Sequence, residues 1–134
     1  MPDGDDDPAT ANVVPYAEIT PPQVFSVDAE IGVLGDQDWY VFTLPVSMSI
    51  GASVVSNVAQ LDMRMTLCDE AQVLAGLCGY DGDNIVTGDQ GFEGETDSLA
   101  AGPLAPGTYF ILVESWDSFI SGAVGDYRLS IGEP

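Results

Sequence analysis

Histidine and lysine are both absent from these 134 residues, and only Arg64 and Arg128 carry positive charge. Each absence removes a chemistry. Without imidazole there is no Ser–His or Cys–His nucleophile pair and no histidine zinc site. Without lysine there is no Schiff base and no phosphate-binding P-loop lysine. No apolar run approaches the roughly 20 residues that a membrane span needs. Met1-Pro2-Asp3-Gly4 lacks the basic and apolar start of a signal peptide. The abrupt finish at Gly132-Glu133-Pro134 reads as a domain taken from a longer protein.

Acid is what the chain has in excess. Asp and Glu number 22 against two basic residues, for a formal net charge of −20. Such a surface repels phosphate backbones and anionic lipid, which excludes nucleic acid and membranes as partners and favours cations. At 46% hydrophobic residues the chain can still bury a core, and its length suits one domain. A monomer is the expected state.

Cys68 and Cys78 make an even count, which together with the acidity leans towards an oxidising, extracellular setting. Two separate buried thiols are the alternative. A tight hairpin turning at Glu70-Ala71 would set Cys68 near Val73 and carry Cys78 about 17 Å further along. A bridge needs Cα atoms within about 7 Å. It therefore forms only if the connection is a wide loop.

The pattern divides the chain into an acidic lead-in, residues 1–11, and a single β-rich domain over 12–134. No stretch sustains apolar residues at helical spacing. Strand signals recur instead: Gln23 to Asp28, Glu30 to Leu34, Trp39 to Leu44, Ser49 to Val55, Leu61 to Cys68, Thr108 to Glu114 and Tyr127 to Ile131. In Leu61 to Cys68 the residues Leu61, Met63, Met65 and Leu67 alternate with Asp62, Arg64, Thr66 and Cys68, one face for a core and one for water. Asp69 to Gln72 reads as a turn and Val73 to Cys78 as its return strand. Core positions are Tyr40, Phe42, Leu44, Tyr109, Ile111, Val113, Tyr127, Leu129 and Ile131. Short strands at this spacing predict an all-β fold, an antiparallel β-sandwich.

Four segments, in order, resemble the bacterial pre-peptidase C-terminal domain. They are Asp3-Gly4-Asp5-Asp6-Asp7-Pro8-Ala9-Thr10-Ala11, Gly35-Asp36-Gln37-Asp38-Trp39-Tyr40-Val41-Phe42, Leu104-Ala105-Pro106-Gly107-Thr108-Tyr109-Phe110 and Gly125-Asp126-Tyr127-Arg128-Leu129-Ser130-Ile131. The resemblance implies a jelly-roll-like sandwich appended to secreted peptidases and other exported proteins, with collagenase members that bind calcium and collagen.

Calcium is the chemistry to weigh. With no histidine, the side chains offer oxygen donors, which suit Ca²⁺. Asp36 and Asp38, two apart at a strand entry, project to one side when extended, about 7 Å apart between Cα atoms. Such a pair repels itself unless a cation or solvent intervenes. In the family the acidic opening folds back to this strand entry with calcium between them. The resemblance thus assigns Asp3, Asp5, Asp6, Asp36 and Asp38 as metal ligands, although Asp3 and Asp5 stand where the family commonly has Glu and Asn. The alternative is a solvated acidic tail beside an ordinary turn.

Other candidates read more plainly. Tyr80-Asp81-Gly82-Asp83-Asn84 fails the EF-hand pattern at Ile85 and Phe92 and reads as a polar turn. Glu93, Glu95 and Asp97 read as a solvated face. The carboxylate pairs Asp36/Asp38 and Glu114/Asp117 lack any motif supporting acid–base catalysis, so the reading is not an enzyme. Trp116 and Ile120, in a loop between two strands, either cap the core or grip a polymer.

Two function classes follow. One is a calcium-binding accessory domain of a secreted protein such as a peptidase, aiding stability, secretion or processing. The other is a targeting module for an extracellular protein or polysaccharide. An exposed row of aromatics on one sheet would mark the second, and a smooth acidic surface the first.

Overall fold

A computed structural model describes residues 10–31, 37–56, 63–79, 82, 84–88, 96–115 and 125–134. Among them the extended segments form nine strands: β1 (Asn12–Val13), β2 (Phe25–Ile31), β3 (Gln37–Leu44), β4 (Met48–Ser56), β5 (Met63–Asp69), β6 (Val86–Gly88), β7 (Thr96–Leu104), β8 (Gly107–Ser115) and β9 (Gly125–Gly132). They assemble into a five-stranded sheet, ordered β1-β3-β8-β5-β6, and a four-stranded sheet, ordered β2-β9-β4-β7. Only the β1–β3 pair among these is parallel. The architecture is the all-β sandwich that the sequence predicts.

Period-two alternation decides which side chains meet between the sheets. Tyr40, Phe42 and Leu44 of β3, Tyr109, Ile111 and Val113 of β8, and Tyr127, Leu129 and Ile131 of β9 all lie in one buried cluster, as expected. Ile50, Ala52 and Val54 of β4, Met65 and Leu67 of β5, Leu99 and Leu104 of β7, and Val14 and Ile19 near the start of the chain join it. Phe42 stacks on Tyr109 with ring centres 5.9 Å apart. Two sequence expectations change along the way. Where two short segments were expected, Gln23 to Asp28 and Glu30 to Leu34, the described residues Phe25 through Ile31 form one strand, β2, which pairs without interruption with β9. The strand β7, hidden in a Gly-, Ser- and Ala-rich passage, forms by pairing with β4.

The outer face of the five-stranded sheet departs from expectation too. Thr66 and Cys68, assigned to water, are fully buried. The return strand expected over Val73 to Cys78 is replaced by a short helix, α1 (Glu70–Leu74), and a wide loop. A capping box sets the helix: the Asp69 carboxylate accepts from the Gln72 backbone N–H at 2.8 Å, and the Gln72 side-chain oxygen accepts from the Asp69 N–H at 3.0 Å. Gly76, at φ 73°, ends it in the left-handed conformation that glycine adopts without penalty. Cys78 is thereby brought back to Cys68, and the two are bridged with Cα atoms 6.0 Å apart. Trp39, Phe110 and Leu112 form a second buried cluster on this face, against which Ala11, Val73 and Cys78 pack. Trp39 meets Phe110 edge to face at 6.4 Å.

Candidate functional site

At one end of the sandwich β3, β5, β7 and β9 begin while β2, β4 and β8 end. Because β1 runs parallel to β3, with Asn12 opposite Tyr40, the chain enters β1 from this same end. The acidic lead-in and the Gly-Asp-x-Asp strand entry, far apart in sequence, thus attach to strands at one end of the fold.

Asp38 is the one predicted ligand among the described residues. Asp3, Asp5, Asp6 and Asp36 lie outside them, as do Asp81, Asp83, Glu93, Glu95, Trp116, Asp117 and Ile120. Alternation from Tyr40 and Phe42 turns Asp38 inward, and it has no exposed surface. Across the sandwich Tyr127 donates its hydroxyl to Asp38 Oδ2 at 2.5 Å. The Tyr40 hydroxyl lies 2.8 Å from that of Tyr127. With the Tyr127 proton committed to Asp38, Tyr40 donates in that second bond. Burial above all, reinforced by the neighbouring Tyr40 and Asp38, pushes the Tyr127 hydroxyl far above the ordinary tyrosine range.

The two tyrosines were legible only as core residues. A tyrosine on an inward position must still place its hydroxyl, and that need was the available clue to a polar node. Asp97, expected on a solvated face, is fully buried, because β7 begins at Thr96 and alternation carries Asp97 to the core side with Leu99. Asn84 donates its side-chain amide to the Gly79 carbonyl at 3.1 Å, in keeping with a polar turn.

Neighbouring carboxylates are spent on arginine. Glu114, on the outer face beside the same end, accepts from Arg64 Nε at 3.2 Å and from Gln37 Nε2 at 3.3 Å. Asp28 pairs in bidentate fashion with Arg128, at 2.9 and 3.0 Å, and each group holds the other in its charged form. No group of three or more potential metal-ligating side chains occurs among the described residues.

Neither sheet presents an exposed aromatic row among those residues. Trp39 and Phe110 lie under α1, and the outer side of the four-stranded sheet carries Ser26, Ser130, Ser53 and Ser98 opposite one another across its four strands. Among the described residues, the large hydrophobic ones that stand exposed are Val13, Val24, Val46, Leu74 and Leu77.

Comparison with solved structures fits this geometry. The pre-peptidase C-terminal domain of a collagenase from Bacillus anthracis superposes with a TM-score of 0.63 at 19% identity, covering 90% of this chain and 93% of that one. The fold is that of a pre-peptidase C-terminal domain. CorA of Methylomicrobium album BG8, described as a surface-associated copper-binding protein, matches at a TM-score of 0.60 and 11% identity, over 92% of this chain and 98% of its own. PliG of Aeromonas hydrophila, a periplasmic inhibitor of g-type lysozyme, matches at 0.50 and 12%, over 90% and 96%. At these identities the similarity is one of fold. In sequence, no protein-family profile and no curated protein matches the chain. No described helix is long and apolar enough to cross a membrane.

Proposed function

We propose that the chain is a non-catalytic accessory domain of an exported protein, stabilised by calcium at the strand-entry end. The observation that carries this reading is the placement of Asp38. A carboxylate without exposed surface needs compensating positive charge or several donors. Tyr127 supplies one neutral donor, at Oδ2. Asp36 enters the same strand two residues earlier, and the parallel β1 attaches the segment holding Asp3, Asp5 and Asp6 at the same end. When bound, calcium would supply the charge that an oxygen-only donor set lacks. Copper, which the CorA title names for that protein, suits this chain poorly: it has no histidine, and both cysteines are bridged.

The disulfide supports an extracellular or periplasmic setting. The absence of an exposed aromatic row among the described residues supports an accessory role over a polymer-gripping one. Calorimetry, with thermal melts in EDTA and in millimolar Ca²⁺, tests the proposal. Ca²⁺ is expected to raise the melting temperature by mass action on the folded state, and Asp36→Asn with Asp38→Asn to abolish the rise. Equal melts in EDTA and Ca²⁺ would remove calcium from the account.

A further inference from the structure

Among the described residues, the second buried cluster has a thin cover. Trp39, Phe110 and Leu112 stand on the outer face of the five-stranded sheet, and from the α1 loop the apolar residues that reach them are Val73 and Cys78. The rest of the segment from Glu70 to Leu77, Gln72 apart, is exposed. A helix of five residues has little stability of its own in water. The capping box, Gly76 N–H to the Val73 carbonyl at 3.0 Å and Leu77 N–H to the Gln72 carbonyl at 3.1 Å shape the loop, but each joins it to itself. Its apolar fastening to the sheet is at two points. One is the half-buried Val73; the other is Cys78, where an isolated β-bridge and the disulfide to Cys68 of β5 coincide.

We propose that the bridge is a redox-controlled cover. Oxidised, it holds the α1 loop over Trp39, Phe110 and Leu112; reduced, it lets the loop lift away while the two sheets stay packed. The sheets do not depend on the loop, since no residue from 70 to 79 belongs to the cluster between them. Opening restores conformational freedom to residues 70–78, and a cross-link opposes it by restricting the open chain. The two sulfurs are unequally reachable: Cys68 has no exposed surface, whereas Cys78 is partly exposed. A dithiol reductant therefore enters at Cys78. Its thiolate bonds to Cys78 Sγ, the Sγ–Sγ bond breaks, and Cys68 leaves as a thiolate that takes up a proton. The second thiol of the reductant then closes its own disulfide and frees Cys78, so two electrons and two protons pass to the bridge. The domain thus presents an apolar, aromatic face in a reducing compartment and hides it in an oxidising one. No cation takes part, which keeps this device separate from the calcium reading.

Trp116→Phe leaves Trp39 as the one tryptophan and so as the reporter of the cover. Dithiothreitol is added to this folded variant with EDTA present throughout. Thiol titration, far-ultraviolet circular dichroism and acrylamide quenching of Trp39 follow the result. Two thiols are expected, with the strand signal unchanged and the quenching constant raised at least about threefold by local opening, reversibly on reoxidation. Cys68→Ser/Cys78→Ser in the same background should show the high quenching without reductant. Val73→Ser, which removes the other apolar anchor and keeps the bridge, should leave Trp39 shielded. A bridge that resists reduction in the folded protein overturns the proposal, as does a reduced protein whose Trp39 stays shielded. So does a reduced chain that loses its strand signal, or a Val73→Ser variant that exposes Trp39 with the bridge intact.

Discussion

Tyr127 of the four-stranded sheet and Asp38 of the five-stranded sheet are joined by a buried hydrogen bond of 2.5 Å, across 89 residues of sequence. The bond spans the two layers at the end where β3 and β9 begin. It couples the orientation of the carboxylate to the packing of the sheets.

Tyr127→Phe removes that donor and leaves the buried carboxylate with one fewer. Loss of about 1–3 kcal/mol of stability is expected, read by denaturant titration at neutral pH. The strand register should survive, since the ring remains. A variant as stable as the parent would show that the bond contributes nothing net.

Alkali should unfold the domain. Burial raises Tyr127, and burial with the Asp69 charge raises Tyr109, so the folded chain keeps phenolic protons that the unfolded chain releases. The stability tied to them is complete below the ordinary tyrosine value of about 10 and drains away as pH climbs past it. Denaturant midpoints measured at about pH 8 and about pH 11 should fall between the two. In Tyr127→Phe the fall should be shallower.

Reduction of Cys68–Cys78 should destabilise the domain by about 2–3 kcal/mol, the loop-closure contribution of a bridge over a separation of 10 residues. Thiol titration of the denatured, unreduced chain should find no reactive thiol. Two reactive thiols would contradict the bridge.

Sodium chloride should raise the melting temperature even in EDTA. With a formal charge of −20, self-repulsion opposes compaction, and screening relieves it. Potassium chloride should act equally. A melt flat from low to high salt would count against repulsion as a significant cost.

Gly88→Ala tests the corner where the sheets touch. A Cβ at Gly88 of β6 would stand 2.5 Å from the Ser98 carbonyl oxygen of β7, and backbone there has little room to yield. A loss of about 1–3 kcal/mol is expected, as for other overpacked sites, by denaturant titration.

Legibility followed side-chain size. The inward residues of β3, β8 and β9 are large and strictly alternating, so their faces could be assigned by eye. The strand β7 could not, because Ser98, Ala100, Gly102 and Pro103 carry little strand preference and β4 imposes their conformation. Val73 to Cys78 looks extended, yet Asp69 and Gln72, three apart, form the capping box that turns the chain into a helix. At the candidate site Asp38 was visible in its local motif. Its partners were not, since a tyrosine 89 residues away reaches it only once two sheets have packed.

The chain's two arginines have a consequence beyond their ion pairs. Arg64 lies within β5, paired with Glu114 of β8, and Arg128 within β9, paired with Asp28 of β2 and Val55 of β4, and each is followed by a fully buried residue, Met65 or Leu129. A protease that cuts after Lys or Arg has no other bond to attack, and both lie inside a β-ladder that will not fit an active-site cleft. The folded domain is thus closed to trypsin-like enzymes along its whole length. Its rate of digestion by them becomes a direct gauge of how often the sandwich opens.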